Sequence, residues 1–96
     1  MKDEIPELTA NDFGHAIGHR QRMRILRGEL RAEDVAALRR FVRLSQEDFA
    51  HALGISVHTL RNWEQGRRRP EGPAMALLRI AARHPRVLHE NLRAAA

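Results

Sequence analysis

Apolar residues recur along this chain at spacings of three and four and nowhere alternate singly, a rhythm that predicts helices and no strands. Thr9, Ala10, Asn11 and Asp12 have the form of an N-terminal cap, and Phe13, Ala16 and Ile17 follow at helical spacing. Gly14, Gly18 and Gly28 weaken that segment, because an interior glycine costs about 1 kcal/mol relative to alanine. Residues 1–31 are therefore expected to form an arm, helical or partly disordered. Residues 32–43 are a plainer case: Val35, Leu38, Phe41 and Val42 line one face, and Glu33 and Asp34 stand in the first turn, where the helix dipole favours acids.

Two shorter helices follow. Ser45 is placed to cap the first, which turns Phe49, Ala50 and Leu53 inward and stops at Gly54. Ser56 is placed to cap the second, which turns Leu60 and Trp63 inward and ends at Gly66 in a left-handed conformation. Arg67, Arg68, Arg69 and Pro70 cannot prolong it and form a basic loop. A fourth helix starts near Gly72 and Pro73, carries Ala74, Leu77, Leu78 and Ala81 on one side and is stopped by Pro85; Val87, Leu88 and Leu92 mark a fifth. The expected fold is thus an all-α, five-helix domain over residues 32–96, preceded by the arm.

Ninety-six residues hold one compact domain and exclude a multi-domain enzyme. There is no cysteine, so neither disulfides nor a thiolate metal site can hold the chain together. Paired carboxylates and a phosphate-binding glycine loop are missing, Ser45 and Ser56 are better used as caps than as nucleophiles, and no enzyme activity or cofactor is implied. His15 and His19 stand four apart without a third ligand, which leaves no metal site. With no long apolar run and an acidic start, the chain is expected to be cytoplasmic.

The net charge is +5, and sixteen of the seventeen basic residues are Arg. Such a surface suits polyanions. Residues 1–12 carry Asp3, Glu4, Glu7 and Asp12 against Lys2, whereas residues 13–31 carry five Arg against Glu29.

Two short helices crossing steeply need a small residue at their approach and a turn residue of positive φ; Ala50 and Gly54 supply these. Gln46, His51, Val57, His58, Thr59, Arg61, Asn62 and Gln65 are then left mainly outward, a polar face that can enter a major groove. Trp63 belongs with the core by its spacing from Leu60.

The stretch LSQEDFAHALGISVHTLRNWEQGRRRP resembles the helix-turn-helix of the phage-repressor and Xre family, and RRRPEGPAMALLRIAARHP resembles its continuation in antitoxins of the HigA and NadS type. The resemblance implies a repressor-like domain that binds DNA as a homodimer on a palindromic operator, together with a RelE- or HigB-like toxin as partner. It places Gln46 beside the DNA backbone or a base edge, and Ser56, Val57, His58, Thr59, Arg61 and Asn62 in the groove. Arg67, Arg68 and Arg69, directly after the recognition helix, are expected at phosphates. It also implies an ion pair between Arg39 and Glu64 that orients the recognition helix.

Three functions remain open on the residues alone: an antitoxin that represses its own operon and neutralises a toxin, a stand-alone Xre-type regulator, and an interaction module that no longer binds DNA. The arm, residues 1–31, is the candidate toxin-binding segment, because its acidic start would attract a basic partner and its Gly-interrupted character suits folding on binding. Leu77, Leu78, Ala81, Val87, Leu88 and Leu92 either close the monomer core or form part of a symmetric dimer seam.

Overall fold

The structure, a computed structural model, describes residues 17–95. Among them are six helices and no strand: α1 (His19–Arg27), α2 (Ala32–Phe41), α3 (Gln46–Leu53), α4 (Val57–Glu64), α5 (Pro73–Arg83) and α6 (Pro85–Ala95). Five of them lie after residue 31, and the additional one is in the arm. The cap proposed at Thr9–Asp12, the helical spacing of Phe13 and Ala16, and Gly14 and His15 lie outside the described residues.

Gly18 and Gly28 flank α1 rather than interrupt it. Gly18 is the N-cap, its N–H donating to Gln21 Oε1 at 3.4 Å, and Gly28 closes the helix at φ 78°. In that conformation the Gly28 and Glu29 N–H groups reach the Ile25 and Arg24 carbonyls at 3.1 and 2.8 Å, so the glycine serves as a stop and costs the helix nothing inside. Ile17, Ile25 and Leu30 are buried in the same core as the later helices, with α1 packed on α5 and α2.

A buried ion pair fastens α1 to α2. Asp34, fully enclosed, accepts the Arg31 backbone N–H at 2.9 Å and two bonds from Arg24, Nε at 2.8 Å and Nη2 at 2.6 Å. Burial pushes the Asp34 carboxyl up, but the Arg24 hydrogen bonds, the Arg31 N–H and the two positive charges outweigh it and hold it below the ordinary range. Asp34 is therefore more than the exposed dipole partner its position suggests.

The helix expected to reach Arg43 ends at Phe41, because Arg43 turns left-handed at φ 62° and the chain brings Leu44 into the core. Ser45 Oγ then accepts the Asp48 N–H at 3.1 Å, and Ser56 Oγ the Thr59 N–H at 3.0 Å, so each short helix begins at its serine. Between them Gly54 takes φ 77°; a Cβ there would meet nothing, so glycine is needed for backbone conformation and not for space. Gly66, at φ 76°, turns the chain after α4.

Pro85 opens α6 instead of merely ending α5, and His84 is the break. Packed chiefly against α3, α6 is tied down where α2 and α3 end: His89 Nε2 donates to the Val42 carbonyl and Asn91 Nδ2 to the Ala52 carbonyl, both at 2.6 Å. Leu78, Ala81, Ala82 and Leu88 face the core, whereas Leu77, Ile80 and Val87 remain exposed.

Candidate nucleic-acid interface

The inner side of α4 is anchored by Leu60 and Trp63, at 0 % and 6 % exposure, so the indole is a packing group. Ala50 is buried on α3, which packs against α4 across the Gly54–Ser56 turn. Arg39 and Glu64 meet as a bidentate pair, with Nε 2.8 Å from Oε2 and Nη2 3.4 Å from Oε1. Arg39 also donates from Nη1 to the Leu44 carbonyl at 3.2 Å, which ties the end of α4 to α2 and to the turn before α3.

The outer side of α4 presents Ser56, His58, Arg61 and Gln65 exposed, and Thr59 and Asn62 half-buried. Thr59 and Ser56 share a hydroxyl hydrogen bond of 3.0 Å. His51 is exposed on α3. Two of the residues assigned to DNA also make contacts within the domain. Val57 is half-buried and packs against the core, because the first turn of α4 leans on the body of the domain. Gln46 bridges Glu64 and Arg61: its Nε2 donates to Glu64 Oε1 at 3.0 Å and its Oε1 accepts from Arg61 Nε at 3.2 Å.

Arg67, Arg68 and Arg69 are exposed, and no ion pair engages them among the described residues. Their loop springs directly from α4, for the Arg67 and Arg68 N–H groups both donate to the Asn62 carbonyl, at 2.9 and 3.3 Å. Two clefts flank Arg68 and Arg69. One, of about 380 Å³, is lined by His58, Thr59, Asn62 and Trp63; the other, of about 320 Å³, is lined by Glu29, Leu30, Arg31, Ala32, Gly66 and Pro70, with Trp63 at its wall. Glu29, Arg31 and Glu47, the last with its Oε2 3.5 Å from Arg61 Nη2, are charged residues at this surface that sequence reasoning missed. Glu47 follows Gln46 directly, and that adjacency was the available signal. Among the described residues no group of three or more His, Asp or Glu side chains is placed to hold a metal ion.

Among the described residues every regular element is a helix, and a basic loop adjoins a polar helix face backed by an ion pair, a surface that suits binding. The profile of the antitoxin component of the bacterial toxin-antitoxin system, MqsA, matches residues 11–93, and the chain belongs to this antitoxin family. It is also 41% identical, over 56 residues, to antitoxin HigA-2 of Vibrio cholerae serotype O1, which supports the HigA-type resemblance read from the sequence. That match covers 58% of this chain and 54% of the relative, so the chain spans about half the length of the relative it matches. No solved structure matches the chain. No helix of the described residues is long and apolar enough to cross a membrane.

Proposed function

We propose that this antitoxin is a sequence-specific DNA-binding repressor of its own toxin-antitoxin operon, that α3 and α4 form its helix-turn-helix, and that it neutralises a RelE- or HigB-like toxin in the cytoplasm. The observation that carries the reading is the outer face of α4: His58, Thr59, Arg61 and Asn62 stand beside three exposed arginines that carry no ion pair among the described residues, while the opposite side is locked by Leu60, Trp63 and the Arg39–Glu64 pair. Rigid backing matters, since a reading helix that wobbles cannot hold hydrogen-bond geometry at base edges. Arg61 suits guanine, Asn62 suits adenine, and Arg67, Arg68 and Arg69 suit phosphates.

A homodimer follows from the same reading, because two half-sites about one duplex turn apart give affinity that one such domain lacks. Leu77, Ile80 and Val87, exposed on α5 and α6, are the surface assigned to it. Toxin binding is assigned to the arm. The names of the matching family and relative support an antitoxin over a stand-alone regulator.

Equilibrium titration of a duplex from the chain's own promoter tests the DNA reading. With Arg68 and Arg69 both changed to Ala, the slope of log K against log salt should flatten by about two units. A wild-type affinity insensitive to salt would reject it.

A further inference from the structure

A relay of hydrogen bonds runs from the side of α2 to the outer face of α4. Glu64, its side chain 9 % exposed, is held by Arg39 and accepts the Gln46 amide at Oε1, 3.0 Å away. A carboxylate can only accept and a guanidinium can only donate. The Gln46 amide, placed between Glu64 and Arg61, is therefore oriented by chemistry alone: nitrogen toward the acid, oxygen toward Arg61 Nε at 3.2 Å. On its other side Arg61 Nη2 lies 3.5 Å from Glu47 Oε2.

An arginine at 46 % side-chain exposure ordinarily samples many rotamers, and binding must suppress them. Here Gln46 takes the Nε–H, and Glu47 stands 3.5 Å from Nη2. With the Nε–H taken, the free end of the guanidinium is the Nη1–Nη2 edge, whose two parallel N–H groups match O6 and N7 of a guanine.

We infer that Gln46 is a positioning residue: resting on the DNA reading above, the relay Arg39–Glu64–Gln46 aims Arg61 so that it specifies guanine, and Gln46 itself touches no base. Glu64 thus has two tasks, joining α4 to α2 and setting the polarity of the Gln46 amide. The specificity of an exposed side chain is governed from a half-buried one.

The test is selection from a pool of random duplexes by the wild-type chain, Arg61→Ala, Gln46→Met and the double variant. Methionine keeps the length of the side chain without its amide. Wild type should enrich a guanine in each half-site whose preference disappears in R61A. Q46M should lose roughly tenfold of the preference at that same position, leave the other positions of the site as they were, and add no further loss when combined with R61A. Full guanine preference in Q46M, or a loss at another position, overturns the relay while leaving the DNA reading intact. Enrichment of no sequence by wild type overturns both. A measurement without DNA checks the geometry separately: the Arg61 Nε–H should exchange with solvent several-fold more slowly in wild type than in Q46M, and equal rates would refute the hydrogen bond on which the relay depends.

Discussion

Replacing Ile25 by Ala would remove three carbons from a side chain that is 0 % exposed, within the part of the arm that shares the domain core. At about 0.8 kcal/mol per buried methylene the transfer loss is about 2.4 kcal/mol, and an incompletely collapsed cavity raises the total to about 3–4 kcal/mol. Small domains hold only about 5–15 kcal/mol in all, so the change is a large share of stability. Urea unfolding followed by circular dichroism should show a lower midpoint at unchanged slope, and the melting temperature should fall by about 12–32 °C. Removing residues 1–31 altogether should do worse, because Leu30 and Ile17 leave with Ile25 and the enclosed Asp34 loses Arg24. An I25A variant within about 1 kcal/mol of wild type would refute the claim that α1 is integral to the fold.

Three further outcomes follow from the same contacts. Asp34 has a lowered pKa in the folded chain, so between that value and the ordinary 3.8 the unfolded state binds more protons; stability should be complete above that window, fall as pH drops through it, and Asp34→Asn should flatten that part of an acid-denaturation curve. Glu64→Ala strands Arg39, only 17 % exposed, and should cost about 2–3 kcal/mol in urea unfolding, between the values for surface and fully buried pairs. Gly54→Ala meets no neighbour yet forces a side chain to φ 77°, and should cost about 1–2 kcal/mol by the same assay; a neutral result would mean the turn can relax.

The helix ends were legible wherever one residue decides them. Ser45, Ser56, Gly54 and Gly66 act locally, through their own oxygen or their own φ, and their roles can be read one residue at a time. Gly18 and Gly28 misled because the interior penalty was applied to positions that prove to be the two caps of α1; a glycine that weakens a helix in its middle serves at its ends. Asp34 reads as a first-turn acid from α2 alone, and its burial depends on α1 folding back to deliver Arg24, a contact between residues ten apart that periodicity does not encode. Gln46 and Val57 were placed outward by helical geometry, but what each meets is decided by Glu64, Arg61 and the core beyond its own helix. Arg39 and Glu64 lie twenty-five residues apart, and it was the family likeness, not spacing, that pointed to their pairing.

Amide chemical-shift mapping, with a duplex from the chain's own promoter added stepwise, tests the role assigned to α4 most directly. Shifts should concentrate at Ser56, His58, Thr59, Arg61 and Asn62 and at Arg67, Arg68 and Arg69, with little change on α6. Perturbations centred on α5 and α6, with α4 silent, would contradict it.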